Sequence, residues 1–127
     1  MRKQIHLMAM GLVLLLASCG EEHKAQGLVK DFVQENTENR SCSFERFSRL
    51  KPTGMIGPDR VKSMRQEVAR LPYVKQGIDY HDGEITDTLR FLQTTYELTP
   101  REGQKKKITQ TFYLDKNLTR VVAFKEY

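Results

Sequence analysis

Residues 108–127 read ITQTFYLDKNLTRVVAFKEY. Ile108, Gln110, Phe112 and Leu114 lie two apart, with Thr109, Thr111 and Tyr113 between them. Side chains of a strand alternate between faces, so this spacing predicts a strand with one apolar and one Thr/Tyr face. Asp115-Lys116-Asn117 reads as a three-residue connection, in which Asn117 can take the left-handed conformation such loops need. Val121 to Tyr127 returns as the partner strand, with Val122 and Phe124 on one face. Gln110 is the misfit on the apolar face; the sheet rim or a pocket would accommodate it.

Upstream, Pro100 to Gln104 is a turn. Ile85 to Leu98 reads as one long or two short strands, with Leu92, Thr94, Tyr96 and Leu98 sharing a face. These segments make a three-stranded antiparallel meander. Ser43 to Leu50, SFERFSRL, predicts a further strand; Phe44 and Phe47 are three apart, so a bulge or a late strand start is needed to bring them together. Lys51 to Pro58 is a loop by its prolines and glycines. Asp59 can N-cap a helix whose stripe is Val61, Met64, Val68 and Leu71, ended or kinked by Pro72. Gly77 and Asp82-Gly83 mark its exit loop. Ala25, Leu28, Val29, Phe32 and Val33 cover one face of an earlier helix, from about residue 23 to 36. The expected fold is α+β: helices packed on one face of an antiparallel sheet ending in a three-stranded meander. The other face must stay wet or find a partner.

The start of the chain is a different kind of sequence. Met1-Arg2-Lys3 is positive, and Leu7 to Ala17 (LMAMGLVLLLA) carries no charge. That run is too short for a hydrocarbon core, which needs roughly 20 residues, and it fits a secretory signal. Leu16-Ala17-Ser18-Cys19 resembles the bacterial lipobox. The resemblance implies diacylglycerol attachment to Cys19, cleavage before it and acylation of the new amine. Residues 1–18 are then a cleaved signal peptide, 19–24 a lipidated tether and 25–127 one domain. Gly20-Glu21-Glu22 resembles the surface-export signal of Bacteroidetes-type lipoproteins, or is simply a solvated tether. Gly20 also differs from the aspartate of enteric inner-membrane retention, which favours an outer-membrane address.

Removing residues 1–18 takes Arg2 and Lys3 from the 21 basic residues, leaving 19 against 16 acidic ones, a formal +3. Lipidation of Cys19 leaves Cys42 alone, so no internal disulfide is expected and the fold must stand on packing.

Candidate chemistry is sparse. Asp79-Tyr80-His81-Asp82-Gly83-Glu84 is the densest polar cluster. Counted from Asp79 as an EF-hand, its third position is His81, its sixth Glu84 and its twelfth Arg90, so the pattern fails and a solvated loop is expected. Cys42 and His81 could form a thiol–imidazole pair, but no local signature surrounds either. No metal or nucleotide fingerprint is present, and no cofactor or enzymatic activity is expected. Residues 40–75 hold nine basic residues against three acidic ones; on the second helix these include Arg60, Lys62, Arg65 and Arg70. That surface suits a protein or anionic partner in the envelope, or is a solubilising face; nucleic acid is not expected. Lys105-Lys106-Lys107, in a hairpin turn, would extend it. A pocket between sheet and helices would be lined by Tyr96, Gln110 and Tyr113. Asp87-Thr88-Leu89 resembles the O-glycosylation site of exported Bacteroidetes proteins.

Beyond the lipobox, VKDFVQEN (Val29 to Asn36), SFERFSRL and FYLDKNLTRVVAF (Phe112 to Phe124) resemble segments of small Bacteroidetes-type lipoproteins. The helix-then-meander order is similar to cystatin/NTF2-like and SmpA/BamE-like folds, though Thr53-Gly54-Met55 is not the Gly-Met-Thr turn of the latter. The resemblance implies a lipid-anchored envelope protein. The expected function is a non-catalytic interaction module, with a small-ligand binder as the alternative; an enzyme built on Cys42 and His81 is weighed against both and not expected.

Overall fold

A computed structural model describes residues 2–54, 56–83 and 88–127, the side chains of 2–18 excepted. The element order is α1 (Arg2–Asn36), β1 (Ser41–Phe47), β2 (Lys51–Thr53), α2 (Pro58–Val68), β3 (Leu89–Thr99), β4 (Lys106–Asp115) and β5 (Val121–Glu126). The five strands form one antiparallel sheet in the order β1-β3-β4-β5, with β2 also pairing with β3. The fold is α+β, and β3-β4-β5 is a sequential meander. Ile85, where the third strand was expected to begin, lies outside the described residues, as do Glu84, Asp87 and Met55.

α1 buries Ala25, Val29 and Val33, with Leu28 and Phe32 packed against the same cluster. It stops where the apolar spacing stops. The Thr37 hydroxyl donates to the Val33 carbonyl (2.6 Å) and Asn36 Nδ2 to the Phe32 carbonyl (3.0 Å), serving two of the carbonyls that a helix end leaves open. The helix begins earlier than the amphipathic stripe, because the Leu-, Met- and Ala-rich residues before it are strong helix formers. Residues 19–24, expected as a tether, are therefore helical. Glu21 reaches across to Arg90 on β3 (2.6 Å). Among the described residues no helix is long and apolar enough to cross a membrane.

β1 shifts register against β3 between Phe44 and Arg46. This bulge reconciles the three-residue spacing: Phe44 and Phe47 stack with ring centres 5.6 Å apart, both against the core. Lys51–Thr53 is not loop, as expected, but a short strand paired with Leu89–Phe91. Pro52 is tolerated because β2 is an edge strand, where a missing N–H costs no ladder bond.

Two expectations about the last hairpin are corrected. The left-handed residue is Leu118 (φ 54°), not Asn117. The connection is longer than three residues because the Asp115 carboxylate takes the N–H groups of Thr119 and Arg120 (2.7 and 3.0 Å) and the Thr119 hydroxyl. Burial opposes ionisation of Asp115, but these donors and the Arg120 charge outweigh it and hold its carboxyl below the usual range. Leu118 drops into the core, and that burial offsets its backbone strain. Second, β5 is bulged: Leu114 pairs with Val121 but Tyr113 with Ala123, so Val122 is the extra residue. Val122 and Phe124 consequently join opposite clusters.

α2 starts at Pro58, with Gly57 as N-cap and no side-chain cap. Asp59 is not the cap. Proline at the first helical position takes its place, and Asp59 sits in the first turn, where its charge suits the helix dipole. The stripe divides as α2 runs along β5. Val61 and Met64 pack with Leu89, Tyr113, Val122 and Ala123, whereas Val68 and Leu71 join the α1-side core.

Candidate functional site, the groove beside the second helix

The pocket lining expected at Tyr96, Gln110 and Tyr113 is not assembled among the described residues. Tyr96 and Gln110 lie in the packed α1-side core, 0% and 1% exposed. The Tyr96 hydroxyl donates to Gln110 Oε1 (2.7 Å), Gln110 Nε2 donates to the Tyr73 hydroxyl (3.2 Å), and Tyr73 donates to the Glu126 carboxylate. This chain of donors satisfies the misfit glutamine, since a buried amide without partners would be costly. Tyr113 points to the other cluster, beside Phe91 (6.1 Å between ring centres).

A cavity of about 720 Å³ opens instead between α2, the residues Gly54, Ile56 and Gly57 ahead of it, and the far end of the sheet. Ile56, Pro58, Val61, Leu89 and Val122 give it an apolar floor. Lys62, Arg65, Gln66, Asp82 and Arg120 give it a polar rim. Of the four cations expected on the second helix, Lys62 and Arg65 reach this groove; Arg60 and Arg70 are exposed elsewhere on α2 and just beyond it.

Arg65 is a structural clamp. Its Nε donates to the carbonyl of Val122, the extra residue of the β5 bulge (2.9 Å). Its two terminal nitrogens grip both oxygens of Asp82 at 2.8 Å, and its guanidinium lies 4.0 Å from the centre of the Tyr80 ring. Arg120 holds the same Asp82 carboxylate at 3.0 Å. The hydrogen bond from Arg65 lowers the Asp82 pKa, and the bond to Asp82 raises that of Arg65. Burial pushes the Tyr80 hydroxyl up to about 12, so it stays protonated at any physiological pH. The Asp79–Gly83 loop is solvent-exposed except at the buried Tyr80, as expected, and Asp82 also ties it to α2 and the β4–β5 turn. His81 is exposed, with its N–H on Asp79. Among the described residues no group of His, Cys, Asp and Glu side chains could hold a metal ion.

Cys19 is exposed and Cys42 half-buried. The Cys42 partner is the Thr37 hydroxyl (4.0 Å), and that of His81 is Asp79. The two are not brought together by any described contact. Burial raises the Cys42 pKa, which keeps it a protonated, weakly nucleophilic thiol. Maleimide is expected to label Cys42 more slowly in the native protein than in urea, as peptide mass spectrometry would read; equal rates would restore a reactive-thiol role. Lys106 and Lys107 lie in β4 rather than in the turn, with Lys107 paired to Glu45 (3.1 Å). Asp87 of the glycosylation-like triplet lies outside the described residues.

Sequence reasoning missed Asp82, Arg120 and Val122 as groove residues. They come from a loop, a turn and a bulge far apart in the chain, and no local periodicity links them. Fold and groove together define a small α+β domain with a cation-rimmed apolar cleft. No family model matches the chain, and no significant match is found among curated proteins or solved structures.

Proposed function

We propose that the chain is a lipid-anchored, non-catalytic interaction module of the cell envelope, of the Bacteroidetes-type lipoprotein kind. Acyl chains on Cys19 hold it to the membrane, with the outer membrane as the favoured address, and α2 with its groove is the surface that meets a protein or anionic partner. The observation carrying this reading is the setting of Cys19. It ends a lipobox-like sequence and is exposed on a helix that continues into the core, with Glu21 fastened to Arg90. Two acyl chains suffice for stable anchoring, since each buried CH₂ contributes roughly 0.8 kcal/mol.

The test is metabolic labelling with an alkyne palmitate in the native host. Label is expected on the wild-type chain and lost in Cys19→Ala; label that survives overturns the anchor. Crosslinking of intact cells should then recover an envelope partner, and Arg60→Glu with Arg70→Glu should weaken that recovery. Recovery unchanged by the reversal removes α2 as the contact surface. The groove volume supports a second reading, a small-ligand binder, because ligand pockets run from about 300 to 1,000 Å³ and are mostly apolar with a few polar groups.

A further inference from the structure

We propose that the α2 groove binds a lipid-like amphiphile, an apolar chain with an anionic head. This rests on the small-ligand reading of the groove and not on the anchoring of Cys19. The floor and rim ask for different things of a ligand. Ile56, Val61, Leu89 and Val122 offer apolar surface that only an apolar body repays. The rim has three cations, Lys62, Arg65 and Arg120, against one carboxylate, Asp82, a net +2 over the described lining. Both arginines already hold Asp82, which fixes them in place and cancels only one of their two charges. Lys62 is exposed at the mouth. A neutral hydrophobe would leave these cations unmatched, and a bare anion would leave the floor wet. An amphiphile satisfies both.

Position agrees with the chemistry. Leu89 opens β3 and Gly54 follows β2, so the groove lies at the end of the sheet where Arg90 receives Glu21, two residues past Cys19. A chain anchored at Cys19 would carry the groove close to a supply of lipid.

The experiment uses the full chain in isolated native membranes, with a diazirine fatty acid added after synthesis is stopped and crosslinked peptides mapped. The expected result is crosslinking to the Ile56–Ala69 peptide that is saturable and is competed by oleate or by lysophosphatidylglycerol. The better competitor tells whether the head is a carboxylate or a phosphate. Val61→Trp, which fills the cleft, should abolish the crosslink. Lys62→Glu, an exposed change that leaves the core alone, should weaken it about tenfold. Crosslinks spread evenly over the chain, no competition by either lipid, competition by inorganic phosphate alone, or Lys62→Glu and Val61→Trp both behaving as wild type would each overturn the assignment. Cys19→Ala membranes separate the two readings: a crosslink retained there supports the groove even if the palmitate label shows no anchor, and a crosslink lost there although the wild type gives one assigns it to lipid held at Cys19 and overturns the groove.

Discussion

Phe112→Ala is expected to destabilise the fold by about 3–5 kcal/mol, the usual cost of emptying a large aromatic site in a core. Phe112 is 0% exposed. It stacks on Phe124 with ring centres 5.3 Å apart and planes 5° from parallel, and it meets Phe32 of α1 edge-on at 6.2 Å. It also sits opposite Leu92 on β3, so it joins three strands and a helix at one point. Because domains of this size are stable by only about 5–15 kcal/mol, much of the total would go. Urea unfolding followed by circular dichroism measures it. Phe112→Leu, which keeps most of the volume, should cost much less; equal losses for both would mean that the aromatic cluster is not the keystone described.

The second large effect is expected at Arg65. Arg65→Ala should cost about 2 kcal/mol, because it leaves the carbonyl of Val122, at the β5 bulge, without its charged donor. It also removes the cation from the Tyr80 ring and leaves Asp82 to Arg120 alone. Arg65→Lys should recover little. An ammonium cannot bond a carbonyl and both oxygens of a carboxylate at once, whereas the guanidinium fork does so in one plane. Hydrogen exchange offers a finer reading: the amides of residues 79–83 should lose protection before those of β3 and β4. Uniform loss across the sheet, or full rescue by lysine, would show that Arg65 is packing bulk rather than a clamp. Part of this energy is exposed to salt, since the Asp82 end of the clamp is on the surface.

The contrast between these residues shows how legible the chain was. Phe112 could be placed from its neighbours alone. Ile108, Gln110, Phe112 and Leu114 alternate, and a period of two admits only one way to face a core. The same local logic placed the Ala25–Val33 stripe, its end at Asn36 and the Pro100–Gln104 turn, and it flagged the irregular spacing of Phe44 and Phe47, which a bulge or a late strand start would have served equally. Each of these depends on residues within a few positions of one another, and the side-chain geometry of a helix or strand turns that spacing directly into a face.

Tertiary structure decided everything that depends on a distant partner. Arg65 read as one basic residue among several on a helix face. Only the approach of β5, the loop at Asp82 and the turn at Arg120 made it a clamp. Gln110 read as a rim or pocket residue, and only the arrival of Tyr73 and Tyr96 made it a satisfied core amide. Lys51–Thr53 read as loop until β3 gave it a partner. The groove itself is lined by residues of α2, of β3 and the edge strand β5, of the loop at Asp82 and of the turn at Arg120. Its shape is therefore set by long-range packing, to which periodicity along the chain is blind.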